Sequence, residues 1–327
     1  MRPAHTAEGA LDALPRCVDA AYVSARLAEA GAGGTVLAAD VVSIAPGKRA
    51  VVRYAVRSAD GSDVTYIGKL YADSARAQRA HDVMAAVHSA ITRHDGLTSP
   101  HPVVLLGDLG LLLQSAVAGA TLDRVPPPER VAAARGAGRW LAALHGSRLK
   151  PDRAVNPDSE ARKTAERAAR IAASDTRLAA AAAQLHRAVT HATIDPPASG
   201  VPLHRDFHYQ HVVVAGDTVA AIDLDEVRGG EAAIDVAHFC AYLHLLVMRE
   251  AGEQDQSGAL ETAFLGGYAG DAARALDARE RVHFANTCLK LADQIVRGRG
   301  PAPAPVGADR TREAAFLLED GRRCLES

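Results

Sequence analysis

The stretch His204-Arg205-Asp206-Phe207-His208-Tyr209-Gln210-His211, followed after a short apolar run by Ile222-Asp223-Leu224-Asp225, decides how this chain is read. Two carboxylates stand about one β-hairpin apart, the first behind a His-Arg pair and the second at the end of an apolar strand. Phosphoryl transfer needs such a pair: one acid orients or deprotonates the attacking hydroxyl, and another holds the metal that bridges a nucleotide's phosphates. Asp206 alone, between the apolar segments 201–203 and 212–214, reads better as an Asp that caps a turn. Joined to His204 and Asp223, it reads as a catalytic acid. Asp223 follows Ala220-Ala221-Ile222, and a charge in an apolar wall is expensive unless it is partnered. Magnesium with phosphate would supply the partner. Asp225 and Glu226 compete for that assignment, Asp225 as a second acid that assists the metal or faces solvent.

Working outward, residues 10–31 read as a helix ending at Gly31-Ala32-Gly33-Gly34. Strands follow at 35–44, 50–57 and 64–71, the last carrying Lys69. Ser74 reads as the cap of a helix to 91, and two more strands cover 103–106 and 110–117. Five strands with one helix after the third make a small antiparallel sheet lobe. Behind it, helices are expected over 128–145, 159–191, 232–249, 258–269, 278–297 and 310–324, with a proline-rich loop at 298–305. The fold class is therefore α+β in two lobes, residues 1–116 and 117–327.

The 327 residues are 48% hydrophobic and 23% charged, with net charge −2, so nothing draws the surface to nucleic acid or anionic lipid. Aromatics at 4% are too few for a base-stacking platform. Cys17, Cys240, Cys288 and Cys324 form no CxxC pair and read as reduced thiols. No apolar run approaches the ~20 residues of a membrane span, and the N-terminus has no signal-peptide core. Cytoplasm is the expected compartment.

Lys69 sits among Ile67, Leu70 and Tyr71. It is either an edge charge against aggregation or a cation reaching phosphate. The turn Ser43-Ile44-Ala45-Pro46-Gly47-Lys48-Arg49 either lies over phosphates or is a plain hairpin turn. Asp235 reads as a helix cap or loop brace, and His145 as a helix C-terminal residue meeting the dipole.

Together these segments resemble the aminoglycoside phosphotransferase and choline kinase-like family, with its protein-kinase-like fold. Ile67-Gly68-Lys69 resembles the nucleotide-lobe lysine strand, and residues 111–119 resemble the interlobe hinge. Leu141-Ala142-Ala143-Leu144-His145 resembles the helix beneath it. His204-Arg205-Asp206 resembles the catalytic loop, Ile222-Asp223 the metal loop and residues 230–237 the segment closing it. The resemblance implies transfer of the γ-phosphoryl group of ATP (or GTP) to the hydroxyl of a small molecule such as an aminoglycoside, sugar or alcohol. It makes Asp206 the catalytic Asp and Asp223 the ligand of Mg2+. Lys69 would contact the α- and β-phosphates, and the backbone of Gln114 and Ala116 the base edge.

Three positions depart from the family pattern. His211 stands in place of a metal-binding Asn, which tilts the site from magnesium toward manganese. The helix after Lys69 lacks a Glu, leaving Asp82 as the nearest acid for that lysine. Arg205 stands where Gly is common. An aminoglycoside acceptor calls for an acidic cleft, for which Glu226, Glu231, Glu250, Glu253, Asp255, Glu261 and Asp271 are available. Two other classes compete: a nucleotide-binding protein without turnover, and a zinc hydrolase built on His204, His208, His211 and Asp223.

Overall fold

The computed structural model describes residues 12–45, 47, 49–192, 200–250, 256–299 and 309–327. The chain separates into two compact units, one running through Arg93 and including Thr98–Ala118, the other formed by His94–Leu97 and Gly119–Ser327.

The first unit holds helices α1 (Leu14–Cys17) and α2 (Ala20–Glu29), strands β1 (Thr35–Ala45), β2 (Arg49–Arg57) and β3 (Asp63–Tyr71), and helix α3 (Ser74–Ile91). After the two-residue β4 (Leu97–Thr98) come β5 (Pro102–Leu106) and β6 (Leu111–Ser115). The sheet runs β1-β2-β3-β6-β5, antiparallel at every pairing. Period-two alternation in β2 buries Ala50, Val52, Tyr54 and Val56 together. Tyr54 donates its hydroxyl to the Cys17 carbonyl at 2.6 Å, tying sheet to helix. Gly68 is required beneath that ring, because a Cβ there would stand 2.5 Å from Tyr54 Cε2.

Where one helix was expected over 10–31, the described part is broken. Asp19 turns extended and its carboxylate accepts from the Tyr22 amide, restarting the chain as α2. Residues 10 and 11 lie outside the described residues. The cap of α3 is Asp73 rather than Ser74, accepting from the Ala75 amide.

The second unit holds β7 (Ala120–Thr121), α4 (Pro127–His145), α5 (Pro157–Ser174), α6 (Ala179–His191), β8 (Val201–Leu203), β9 (Val212–Ala215), β10 (Thr218–Ala221) and β11 (Arg228–Gly230). Helices α7 (Ala232–Arg249), α8 (Gln256–Tyr268), α9 (Ala278–Val296) and α10 (Arg310–Glu326) complete it. The single helix expected over 159–191 is divided at Asp175, whose extended backbone stops α5 and whose carboxylate accepts from the Arg177 amide and the Thr311 hydroxyl. Of the proline-rich loop, residues 300–305 lie outside the described residues. Helix α7 is long and apolar enough to span a bilayer by composition, but 67% of it is buried inside the fold. It is the central helix of the unit.

Helices α4 and α8 touch backbone to backbone. A Cβ on Gly138 would lie 2.1 Å from the Phe264 carbonyl oxygen, and one on Gly267 would lie 2.0 Å from that of Arg135.

His244 on α7 joins three helices, its Nδ1 on Asp320 of α10 at 2.8 Å and its Nε2 on Glu261 of α8 at 2.7 Å. Burial alone would lower its pKa, but the two carboxylates outweigh burial and raise it to about 9 from 6.5. The folded state thus holds this proton more tightly than the unfolded chain. The resulting stabilisation is complete below about pH 6.5 and is lost as pH rises through about 9. Urea unfolding between pH 6.5 and 9.5 should show a loss of roughly 3 kcal/mol. That slope should vanish in His244→Leu.

Candidate active site

Strand β8 pairs with β11, Leu203 opposite Arg228, and not with β9. Strand β9 pairs instead with β10 and β7. Residues 204–211 therefore cross from one sheet to another, and their backbone must find partners outside a ladder. Asp235, fully buried in the first turn of α7, supplies them. Its Oδ2 accepts from the His204 amide at 2.6 Å and its Oδ1 from the Arg205 amide at 2.9 Å. His145, at the end of α4, adds Nε2 to Asp235 at 3.3 Å and places Nδ1 on the Tyr268 hydroxyl at 2.9 Å. His145 thus braces the same carboxylate, beyond the helix-dipole role its position suggested. Burial would raise the Asp235 pKa, but His145, His204 and the backbone donor outweigh it and lower it.

Arg205 has φ 75°, a left-handed conformation that costs a side-chain-bearing residue energy. A glycine would adopt it freely, which is the physical sense of the departure noted above. Two contacts hold the arginine there: its amide on Asp235, and its guanidinium on Glu160 at 3.1 Å. Phe207 anchors the loop from below, stacked on Trp140 with ring centroids 5.6 Å apart and packed on Phe239 at 5.0 Å.

The turn so built presents Asp206, its side chain 41% exposed, to three nitrogens. Lys290 Nζ from α9 lies 3.5 Å from Oδ1, His238 Nε2 from α7 lies 3.5 Å from Oδ1, and His208 Nε2 lies 3.7 Å from Oδ2. Burial raises the Asp206 pKa, but His208, His238 and Lys290 overcome it and hold the group far below the ordinary carboxylate range. Burial pushes His208 down to about 3 and His238 down to about 4, so both imidazoles are neutral at neutral pH. The tautomer of His208 follows: Nδ1 accepts from the Gln210 amide at 3.2 Å, which leaves the proton on Nε2, facing Asp206. His208 also stacks on Tyr242, centroids 4.6 Å apart.

His211 is oriented in the opposite sense. Its Nδ1 lies 2.7 Å from the Asp206 carbonyl oxygen, which can only accept, so Nδ1 carries the proton. The Nε2 lone pair then faces the Asp223 carboxylate at 3.9 Å. Asp223 itself follows β10 in a left-handed conformation, φ 63°, and is 23% exposed. A carboxylate oxygen and a neutral imidazole nitrogen are donor types a divalent cation takes, and neighbouring ligands of an octahedral ion stand about 3.0 Å apart, so the two would have to close by about 1 Å to share one. The donor set therefore fits magnesium or manganese. Asp225 lies in the 3-10 turn Leu224–Glu226, half-buried. His204 does not join a zinc set: its Nε2 donates to the Ile222 carbonyl at 2.9 Å and its ring is fully buried. The metal-competent atoms that gather within 4.8 Å of one another are those of Asp206, His208 and His211.

In the first unit, Lys69 lies on the central strand β3, opposite Val51 and Leu112, and is 5% exposed. That position removes the edge-charge reading, which requires an outer strand. Asp82 does not serve as its counter-ion. The Asp82 carboxylate is 62% exposed and is bonded to Gln78 at 2.8 Å and His81 at 2.9 Å, with the His81 contact lowering its pKa. Ser43 sits exposed at a bulge of β1 opposite Val51, whereas Pro46 and Lys48 of the same turn lie outside the described residues. Gln114 is buried in β6 and its Oε1 has no partner among the described residues. The Ala116 amide, expected at a base edge, is spent on the Thr65 carbonyl at 3.1 Å. Only its carbonyl remains for that purpose.

The described acids offered for an acidic cleft each have a cationic partner. Glu226 is bound to Arg228, Glu231 to Arg279, Glu250 to Arg130, Glu261 to His244 and Asp271 to Arg135. Glu253 and Asp255 lie outside the described residues. Sequence reasoning missed Lys290 and His238, which come 84 and 32 positions after Asp206. Each lies on the inward stripe of a helix, and that periodicity was the one signal available.

The chain matches the phosphotransferase enzyme family (APH) over residues 42–284. No curated protein sequence matches it. Solved structures that share its fold include the following three. Macrolide 2'-phosphotransferase MphH from Brachybacterium faecium has TM-score 0.56 at 16% identity, covering 94% of this chain and 97% of that one. An aminoglycoside phosphotransferase APH(4)-Ia variant, in ternary complex with ADP and hygromycin B, has TM-score 0.58 at 14% identity, covering 92% and 96%. A choline/ethanolamine kinase family protein from Mesorhizobium loti has TM-score 0.56 at 14% identity, covering 93% and 94%. At these identities the likeness is one of fold, the α+β kinase-like architecture.

The bracing role of Asp235 is open to direct measurement. Asp235→Ala strands two buried amides and should cost about 2–5 kcal/mol in urea unfolding. Amide exchange at residues 204 and 205 should quicken more than at the centre of α7. Asp235→Asn, which keeps one accepting oxygen, should fall between the two.

Proposed function

The chain belongs to the phosphotransferase enzyme family and is itself a phosphotransferase acting on a hydroxyl; from that premise we propose that Asp206 orients the acceptor's hydroxyl for attack on the γ-phosphorus of ATP or GTP. The observation that carries this reading is the carboxylate of Asp206, kept ionised by Lys290 and two neutral imidazoles on a turn that Asp235 holds rigid. A carboxylate held so far below its usual range is a weak base. Its work is to accept the hydroxyl's hydrogen bond and take the proton late, which suits a loose transition state with little bond formation to the nucleophile.

In the proposed reaction the acceptor oxygen forms a new bond to the γ-phosphorus as the β,γ-bridging P–O bond breaks. The proton passes to Asp206 and then to water, and the nucleoside diphosphate leaves. Asp223 and His211 would hold a divalent cation, which when bound neutralises phosphate charge. Lys69 is assigned to the nucleotide's α- and β-phosphates. The ADP bound by the APH(4)-Ia relative supports adenine as the base.

Asp206→Asn should lower phosphoryl transfer by about 10²–10⁴-fold, with ADP affinity from titration calorimetry nearly unchanged. Asp223→Ala should lose transfer and also weaken metal-nucleotide binding. Full activity in both variants would refute the role assignment, and nucleotide binding without transfer by the unaltered protein would favour a non-catalytic binding role.

The Nε2 lone pair of His211 generates a separate expectation. An imidazole favours manganese over the harder magnesium. His211→Asn should therefore raise the ratio of magnesium- to manganese-supported turnover several-fold; an unchanged ratio would remove His211 from the metal.

A further inference from the structure

The hydroxyl that meets Asp206 brings the rest of its molecule against the groups around that carboxylate, and those groups are predominantly cationic. Lys290 lies on Asp206 itself. Arg205 holds Glu160, which Lys163 shares at 3.0 Å, and Arg279 holds Glu231 at 2.8 Å beside His283. Each acid in this neighbourhood is thus already paired.

One cation is left over. Arg167 lies on α5 two turns after Glu160, on the face that packs against α9. The bond from Thr164 to Asn286 at 2.8 Å precedes it and the bond from Arg170 to Asp293 at 3.0 Å follows it. Lys290 lies between Asn286 and Asp293 on α9, so Arg167 and Lys290 meet at the same level of the helix pair. Arg167 donates no hydrogen bond to any described residue, although the fields of Glu160, Asp293 and Arg205 all reach it. Burial lowers its pKa, as it does that of Lys290, which Arg167 and Arg205 depress further. A half-buried guanidinium with its donors unspent, beside two more cations, is a site for an oxyanion.

We propose that the acceptor carries an anionic group, a carboxylate or a phosphate ester, beside its reacting hydroxyl, and that Arg167 with Arg205 binds that group. The inference rests on the phosphotransferase reading and narrows it: a polycationic acceptor would meet three like charges, with the nearby acids Glu160 and Glu231 already engaged. The bidentate fork of Arg167 fits either oxyanion.

The test uses a bacterial metabolite extract divided on ion exchangers into cationic, neutral and anionic pools. Each pool is incubated with the full-length protein, magnesium or manganese, and γ-labelled ATP or GTP, with Asp206→Asn as the blank. Label should enter the anionic pool. Retention of that signal after phosphatase pretreatment assigns a carboxylate, and its loss assigns a phosphate ester. Transfer only into the cationic or neutral pool overturns this inference while leaving the enzyme reading intact, whereas no transfer into any pool removes both. With the anionic pool limiting, Arg167→Gln should cut transfer at least tenfold and Arg167→Lys less, with ADP affinity within twofold of the unaltered protein in each. Undiminished transfer by Arg167→Gln would also overturn the inference.

Discussion

The arrangement of the second unit turns on one buried carboxylate. Asp235 takes two backbone amides from a turn that has left one sheet and not yet joined the next. Without that acceptor the chain at 204–205 would hold two desolvated N–H groups, each costing on the order of 1–3 kcal/mol. The same contact makes the left-handed backbone of Arg205 tolerable, and that backbone sets the direction in which the next residue, Asp206, leaves the turn. The placement of Asp206 is thus a downstream product of an electrostatic contact made at the root of α7.

Charge is organised around Asp206 by a division of labour among nitrogens. Two imidazoles are kept neutral by burial and act as dipoles, while the one ammonium group supplies net charge. His211 is turned the other way by a carbonyl and offers a lone pair where His208 offers a proton. Adjacent histidines within eight residues therefore play opposed electrostatic parts, decided by which backbone group each ring meets. A sequence contains no information about tautomers, so this distinction became visible only with the turn in three dimensions.

Much else was legible in the chain. Alternation in 50–57 marks a strand because period two is what a half-buried sheet demands, and Lys69 stands out as a charge in the buried stretch 68–71 of the next strand. The order of acid, apolar strand and second acid between 206 and 223 singled out the loop on which Asp206, His208 and His211 gather. The failures share a cause: each depended on a partner distant in sequence. Asp82 had the right charge near Lys69 but the wrong side of its helix, where Gln78 and His81 engage it. The acids assigned to a cleft looked unattached because their arginines and histidine lie elsewhere along the chain. Asp175 broke a helix that propensity alone would have continued, through a bond to Thr311 that no local reading could foresee.

The glycine contact between α4 and α8 has a reach beyond its own locality. Helix α4 carries Trp140 beneath the turn, two residues past Gly138, and His145 against Asp235, two turns past it. The depth at which α4 seats on α8 therefore calibrates the height of the whole turn 204–211, like a shim under a bearing. A family member with a bulkier residue at that crossing would need a compensating shift in its partner helix to keep the same register of groups. Covariation of these two small positions is thus the evolutionary trace this fold ought to leave.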